Sequence, residues 1–273
     1  MHTLNSSAPC PALRSYVRAF AQRALDQSSV DVVQTMPASV EQVLEFEFGE
    51  RSQIELDDGQ RFSTYQMEIV GSRARLPGSI RLRAGVETFA IFLQPLGFWQ
   101  LFGIPNGSLA DQHFVAGDVI GKGVEELWDK MAEAASFGER VAIAEAMLLK
   151  RTSKVCANSL IMSSAEYLFR HKGTPRVADV ARIASLSVRQ FERRFIDEIG
   201  VAPKLFARVT RFQMALDARA KDGNASWLTL AHQFGYHDQM HMIKDFRGLS
   251  GLTPDGVLEQ MGDMRPPALA RCK

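Results

Sequence analysis

The stretch "FGYHDQMHMIKDFRGLSGLTP", residues 234–254, decides the fold of the second half of the chain. Taken alone it is ambiguous, because His237 and His241 stand four residues apart and two histidines at that spacing on a helix can hold a metal ion. An earlier stretch, "ASLSVRQFERRFIDEIGVAP" at residues 184–203, matches it at an offset of 50 residues before the turn and 51 after it. Gly200 of the earlier copy corresponds to Gly251 of the later one. The same structural unit therefore occurs twice.

Each copy is predicted to contain a short helix, a tight turn and a second helix. A small residue, Ala181 or Ala231, stands where the two helices would cross closely. Ser187 and Asp238 are favourable N-caps for the second helix, and a glycine ends it. The residues expected to point inward are apolar: Phe191, Phe195 and Ile199 in the first copy, and Met242, Phe246 and Leu249 in the second. The pattern predicts two helix-turn-helix units.

The opposite face of each second helix is mostly polar. It carries Arg189, Gln190, Glu192 and Arg193 in the first copy, and Gln239, Met240, Ile243 and Lys244, with His241 at the side, in the second. Arginine, glutamine and glutamate side chains can hydrogen-bond to base edges in the major groove. The N-terminal part of the second helix is where a recognition helix touches bases. A merely solvated face is the alternative for either helix alone, and the doubling of cap, outer face and termination favours DNA.

Residues 174–262, about a third of the chain, resemble the C-terminal DNA-binding domain of AraC/XylS-type transcription regulators. The second signature of that family runs Gly-Tyr, a short polar stretch, Phe-x-x-x-Phe and Gly-x-x-Pro, and here Met242 replaces the first phenylalanine. The resemblance implies that a helix over residues 203–222 joins the two units rigidly. It further implies that the units enter successive major grooves of double-stranded DNA, and that RNA polymerase is a partner.

The resemblance also implies which residues contact bases. They are Arg189, Gln190 and Arg193 in the first unit, and Gln239, Met240, His241 and Lys244 in the second. Met240 would meet a thymine methyl group or contribute little, and Glu192 would either accept from a cytosine amine or orient a neighbouring arginine. On the joining helix, three basic residues are expected to face phosphate or solvent: Lys204, Arg208 and Arg211.

The first half of the chain is predicted to be rich in β-strands over residues 30–120, with helices following over 123–171. Within "VEQVLEFEFGE" the polar and apolar residues alternate, and Asp-Gly and Pro-Gly turns separate such runs. We therefore predict an α+β protein. A β-rich, barrel or cupin-like domain with helices would span residues 1–152, and an all-α domain of two helix-turn-helix units would span residues 153–265.

Residues 8–150 are also similar to the β-rich sensory half of AraC-type proteins, on the segments "APCPALRSYVRAF" and "FAIFLQPLGFWQLFGIP". The similarity implies a small effector inside a β-barrel, a homodimer through helices within 123–150, or both. Four aromatic side chains are candidates for lining an effector pocket, or else belong to the core: Phe46, Tyr65, Phe92 and Trp99. A cupin metal site needs two or three histidines with a carboxylate on adjacent strands. This half holds only His2 and His113, so we expect no metal and no cofactor.

The amino-acid composition of the chain limits the classes of function that it can have. Residues 1–150 carry 13 Lys/Arg against 19 Asp/Glu, whereas residues 151–273 carry 19 against 12, so the basic half is the one with the repeats. Three distant cysteines, Cys10, Cys156 and Cys272, fit a cytoplasmic protein rather than a thiol-based repair enzyme. We find no secretory signal, no membrane-length apolar run and no catalytic motif. The prediction is a transcription regulator controlled by a small effector. The alternative is a regulator without a ligand, controlled by a protein partner or by abundance.

Overall fold

A computed structural model describes residues 2–56, 59–73, 78–153 and 159–261. Cys156, Cys272, the side chain of His2 and the end of the predicted second domain at 262–265 lie outside the described part of the chain. Cys10 is a free, partly buried cysteine.

The described residues of the first half form ten strands in two antiparallel sheets. The strands are His2–Ser7 (β1), Val17–Leu25 (β2), Val32–Thr35 (β3), Val43–Gly49 (β4), Gln53–Glu55 (β5), Arg61–Ser63 (β6), Met67–Val70 (β7), Ser79–Leu82 (β8), Val86–Leu93 (β9) and His113–Val115 (β10). The larger sheet has the order β1-β2-β9-β4-β7-β10, and the smaller has the order β3-β8-β5-β6. A small apolar cluster that includes Leu25 and Val86 from the larger sheet and Ile54 and Ile80 from the smaller packs the two sheets together.

Eleven α-helices and two short 3-10 helices, Pro11–Leu13 and Asn106–Leu109, complete the described part of the chain. Those of the first half are Gly97–Phe102 (α1), Ala116–Ile120 (α2), Gly123–Glu133 (α3) and Phe137–Thr152 (α4). Those of the second half are Leu160–Arg170 (α5), Val177–Ile183 (α6), Val188–Ile199 (α7), Pro203–Lys221 (α8), Trp227–Gln233 (α9), Gln239–Ser250 (α10) and Pro254–Met261 (α11). The α+β class, with strands first and helices second, is confirmed. None of the helices in the described ranges is long and apolar enough to cross a membrane.

Both faces of the central strands of the larger sheet are buried, and the two faces differ in chemistry. On β4 the apolar residues Leu44, Phe46 and Phe48 pack in the core beneath α1 to α4. The alternate residues Val43 and Glu45 point to the other side, towards the smaller sheet, where they line a cavity. The alternation in the sequence marks this strand correctly, but its polar side is an interior wall instead of a solvated surface.

Two strands lie outside the range in which the sequence analysis placed the β-structure. β2 is central to the larger sheet, pairing with β1 on one side and β9 on the other. Its sequence, "VRAFAQRAL", is rich in alanine and lacks a plain alternation because both of its faces are largely buried. The predicted domain boundary at residue 152 stays a prediction, since α4 ends at Thr152 and residues 154–158 are not described.

Candidate DNA-binding surface and effector cavity

The first repeated unit is α6, a tight turn and α7. The N–H of Leu186 donates to the carbonyl of Ala181 at 3.0 Å, which closes the turn between the helices. Ser187 caps α7 in a capping box with Gln190, and Gly200 ends the helix with φ at +95°. Phe191, Phe195 and Ile199 are buried as predicted.

The second unit, α9, a tight turn and α10, repeats this geometry. The N–H of Tyr236 donates to the carbonyl of Ala231 at 2.9 Å, the equivalent of the first turn contact. Asp238 caps α10, and Gly251 ends it with φ at +75°. The buried residues are Met242, Phe246 and Leu249. The two predicted helix-turn-helix units are therefore confirmed in backbone and core.

The residues predicted to contact bases lie on the outward faces of α7 and α10. Exposed side chains are Arg189, Gln190, Glu192 and Arg193 in the first unit and Met240, His241 and Lys244 in the second, while Gln239 is half-buried. Gln190 has a second role, because its Oε1 accepts from the N–H of Ser187 at 3.1 Å. In this state only the amide NH2 of Gln190 faces outward as a donor.

His237 and His241 belong to the cap of α10. Asp238 accepts from the N–H of His241 at 2.7 Å, and Nδ1 of His237 lies 3.0 Å from the same carboxylate. The backbone hydrogen bond from His241, with help from His237, holds the pKa of Asp238 below its usual value. No group of three or more His, Cys, Asp or Glu side chains suited to a metal occurs among the described residues.

The joining helix α8 connects the two units, as the resemblance implies. Arg208 donates from Nε and Nη2 to one carboxylate oxygen of Asp245 on α10, at 3.1 and 2.9 Å. Arg211 stacks over the ring of Tyr236. The sequence predicts that both arginines face phosphate or solvent, and instead they tie α8 to the second unit. Lys204 is exposed as expected.

The β-rich half touches both units. A short 3-10 helix, Asn106–Leu109, packs on the C-terminal end of α7, and Gly107 lies so close that a Cβ there would meet two backbone carbonyls. The chain between β3 and β4 reaches the second unit, where the N–H of Ala38 donates to the carbonyl of Leu249 at 2.8 Å. The N–H of Thr35 donates to Oε1 of Gln260 on α11. Each recognition helix therefore has its own contact with the first half of the chain.

A partly open cavity of about 160 Å³ lies between the two sheets and α8. Both sheets contribute apolar and charged side chains to it, and α8 contributes Phe212, Gln213, Leu216 and Asp217. The charged and ionisable side chains of the sheets around it are Arg18, Arg23, Glu41, Glu45, Glu68, Arg73 and His113.

The structure does not bring the four aromatic effector candidates together. Phe92 lines the cavity, whereas Phe46 lies on the opposite face of β4 in the core beneath the helices. Tyr65 is exposed, and Trp99 packs against the helical core.

The sequence did not predict the polar residues of the cavity, because polar residues on a strand usually face water. The signal present in the sequence was the placement of Glu45 and Glu47 on one side of a strand whose other side is apolar.

Buried ion pairs dominate the cavity wall. Arg18 binds Glu41 at 2.7 Å, and Arg23 binds Glu45 at 3.2 Å. Loss of hydration on burial raises the pKa of Glu41 and the pKa of Glu45 to about 7, although both arginines act in the opposite direction. The wall is thus a cluster of charges held away from water, where an added charge would have a large effect.

Comparison with known proteins bears on both halves. A family model described as "Helix-turn-helix domain" matches residues 180–260. An apo form of a ToxT variant from Vibrio cholerae strain SCE256 has a similar structure, with a TM-score of 0.52, 10% identity, and coverage of 96% of this chain and 98% of that one. ToxT from Vibrio cholerae O395 bound to (E)-4-(8-methylnaphthalen-1-yl)but-3-enoic acid gives 0.51, 11%, 96% and 99%. No curated protein matches the chain by sequence.

At such low identity the structural likeness concerns the fold alone, and it covers both the β-rich and the helical part. The family match falls on the segment that contains both repeated units. Residues 180–260 are therefore a helix-turn-helix domain of the AraC type, a DNA-binding module carried behind a β-rich N-terminal half.

Proposed function

We propose that this chain is a sequence-specific transcription regulator whose binding to DNA is controlled by a small molecule in the cavity between the sheets and α8. The single observation that carries the proposal is that the cavity wall includes α8, the helix that joins the two helix-turn-helix units. A molecule in the cavity would touch the part of the protein that sets how the two recognition helices lie relative to each other.

A second connection supports the same coupling. The segment from Thr35 to Ser39 lines the cavity, and within it Ala38 is hydrogen-bonded to Leu249 at the end of α10. A ligand that packs better against one position of this segment would shift the second unit through that bond. Such a shift requires only that the ligand bind the two arrangements with different affinity.

The likeness to ToxT adds support from outside the chain. That protein has been solved with an organic acid bound, so a protein of this fold accommodates a small organic molecule. We propose that the present chain does so in its own cavity, with ligand contacts from Phe92 and the charged wall. Phe46, Tyr65 and Trp99 would then act in packing.

On the DNA side, we propose that α7 and α10 enter successive major grooves. The base contacts would be made by Arg189, Gln190, Glu192 and Arg193 from α7, and by Gln239, Met240, His241 and Lys244 from α10. The exposed amide, guanidinium and ammonium donors suit the acceptor atoms of guanine and adenine. We further propose that the protein acts in the cytoplasm with RNA polymerase and forms a homodimer through α3 and α4.

The experiment begins with selection of an operator from random DNA duplexes by the full-length protein. A metabolite panel is then screened for thermal stabilisation, and each stabilising compound is titrated into the operator-binding assay. We expect at least one compound to raise the melting temperature and to change the operator Kd by roughly 5- to 150-fold. Stable operator binding that no compound changes would instead favour control by a protein partner or by abundance.

A cavity variant makes the test specific. Ala90 lines the cavity, so Ala90→Leu should abolish the response to the compound while the protein still binds the operator. Ala8 is exposed just after β1, and Ala8→Leu serves as the matched control that keeps the response. A full response in the Ala90→Leu variant would contradict the cavity assignment.

A further inference from the structure

Two carboxylates lie directly opposite each other on the cavity wall. Glu45 on β4 and Glu68 on β7 are register partners in the antiparallel pairing of these strands, and both line the cavity. Their exposed fractions are 9% and 1%. Like charges placed directly across a strand pair are destabilising, so this pair needs positive charge nearby.

The positive groups already present on the wall are engaged by carboxylates. Arg18 pairs with Glu41 and Arg23 with Glu45. The side chain of Arg73 lies within the electrostatic influence of both Glu41 and Glu45. In full, the wall has four carboxylates, on Glu41, Glu45, Glu68 and Asp217, against three guanidinium groups, on Arg18, Arg23 and Arg73, and one imidazole, on His113. The carboxylates outnumber the guanidinium groups, so an anionic ligand would have to compete with carboxylates for every guanidinium.

Hydrogen-bond acceptors also remain open on this wall. Within the described part of the chain, three buried oxygen atoms that belong to cavity residues have no hydrogen-bond partner: Oε1 of Glu41, Oγ1 of Thr88 and Oε1 of Gln213. Glu41 and Thr88 are 3% and 1% exposed. Carboxylate and amide oxygens only accept, and a hydroxyl oxygen can accept. N–H or O–H groups of a ligand would satisfy all three.

The size and the apolar part of the cavity limit the ligand further. A cavity of about 160 Å³ is close to the roughly 150 Å³ that holds one benzene molecule in a protein interior. Phe92 and Phe212 supply two aromatic rings to the lining. A single ring or a short chain fits this space, and an N–H-bearing cationic end can reach the carboxylates.

We infer that the ligand of this cavity is a small organic cation with N–H donors, such as an amine, amidine or guanidine, held between Glu45, Glu68 and Glu41. The inference rests on the proposed effector function and adds the charge and class of the effector. A bound cation would lower the pKa values of Glu41 and Glu45, which burial raises to about 7, because it would favour their ionised forms.

Three isosteric probes test the charge directly: benzamidine, which is cationic, benzamide, which is neutral, and benzoate, which is anionic. They share one ring and one planar end group of the same shape. Titration calorimetry of each into the full-length protein should show benzamidine binding at least about tenfold more tightly than either of the others. Of the three probes, only benzamidine should raise the melting temperature of the protein.

Variants locate the site. Glu45→Gln and Glu68→Gln should each weaken benzamidine binding at least about tenfold, while Glu126→Gln, an exposed glutamate on α3, should leave it unchanged. Thr88→Val, which keeps the shape of the side chain and removes the hydroxyl, should weaken it less. Circular dichroism shows whether each variant is folded. The comparison of the three probes on the wild-type protein does not depend on the variants.

Tighter binding of benzoate than of benzamidine would overturn the cationic assignment and leave effector control intact, because the cavity would still bind a ligand. Equal binding of benzamidine to wild type and to both glutamine variants would overturn it as well. A failure of all three probes to bind would also reject the inference. The operator titration with Ala90→Leu decides effector control separately.

Discussion

At the scale of single residues, one side chain can have both a structural role and a predicted binding role. Gln190 is a predicted base contact, and its amide oxygen also closes the capping box of α7. Arg193 lacks a second role of this kind, since it is exposed one turn further along the same helix face. Arg193 is thus the cleaner probe of DNA contact in the first unit.

We predict that Arg193→Ala weakens operator binding by roughly 1–3 kcal/mol, because a guanidinium that bonds to a guanine edge contributes about that much to discrimination. The measurement is a binding titration at fixed salt with the selected operator. Arg61→Ala, at an exposed position on β6, is the matched control and should bind as the wild type does. Equal binding by both variants would remove Arg193 from the contact surface.

The buried acids make stability depend on pH in an unusual direction. Burial raises the pKa of Glu41 from 4.5 to about 7, so the folded state keeps a proton that the unfolded chain releases. The stabilisation from this proton is complete below about pH 4.5 and is lost as the pH rises to about 7. Urea unfolding between about pH 5 and pH 8 should show a decline in the wild type. We expect the decline in Glu41→Gln to be smaller, by on the order of 2 kcal/mol.

The slope is the diagnostic quantity in that experiment, because Glu41→Gln also removes the ion pair with Arg18 and will shift stability at every pH. Glu45 stays in place in this variant and keeps part of the decline. If wild type and variant lose stability in parallel, Glu41 does not hold a proton near neutral pH.

At the scale of helices and strands, the two repeated units differ in how they are attached. In the first, Arg194 on α7 pairs with Glu198 on the same helix. In the second, the equivalent position is Asp245, which is buried and bound to Arg208 on α8. The second recognition helix is therefore joined to the linking helix by charge as well as by packing.

We predict that Asp245→Ala lowers the free energy of unfolding by roughly 3 kcal/mol, because it leaves a partly buried guanidinium without its carboxylate. Asp179→Ala removes an exposed ion pair with Arg182 in the first unit and should cost at most about 1 kcal/mol. Denaturant unfolding of both variants gives the comparison. A cost for Asp245→Ala no larger than that for Asp179→Ala would show that the pair does not hold α10.

The contact between Gly107 and the end of α7 offers a second test at this scale. A Cβ at Gly107 would lie 2.5 Å from the carbonyl oxygen of Asp197 and 2.7 Å from that of Ile196. Gly107→Ala should therefore separate the 3-10 helix from α7 and increase amide hydrogen exchange at both segments. Gly123→Ala meets nothing within 4 Å and should leave exchange unchanged. Protection at Asn106–Leu109 equal to that of the wild type would contradict the prediction.

At the scale of the whole molecule, the two halves of the chain have net charges of opposite sign, and the basic half contains the DNA-binding units. Binding to DNA should weaken as salt rises, because each neutralised phosphate releases counterions. Lys204 is exposed near the start of α8, where a lysine can reach a phosphate. We predict that Lys204→Ala lowers the log–log salt slope by about one.

The salt experiment is an operator titration at several ionic strengths with wild type and Lys204→Ala, and Arg61→Ala in the acidic half is the control. An unchanged slope for Lys204→Ala would assign that lysine to solvent. A wild-type affinity that does not respond to salt would count against nucleic acid as the partner.

Much of the helical half follows from the sequence alone. The repeat around Ala181 and Ala231, the caps at Ser187 and Asp238 and the terminating glycines are local signals, and the structure reproduces each of them. The β-rich half was predictable as a class but not in pairing. Strand β2 was not predicted, because its place in the sheet depends on its partners β1 and β9. These strands lie far along the chain or give weak local signals.

The sequence by itself determined the two helix-turn-helix units and their outward faces, because caps, turns and helix periodicity act over a few neighbouring residues. Only the tertiary structure decided that Glu45, Glu68 and Glu41 line the cavity, that Arg208 binds Asp245, and that α8 borders the cavity. Those facts depend on which distant segments meet. Burial then changes the chemistry of the side chains, since a carboxylate removed from water no longer behaves as it does on a surface.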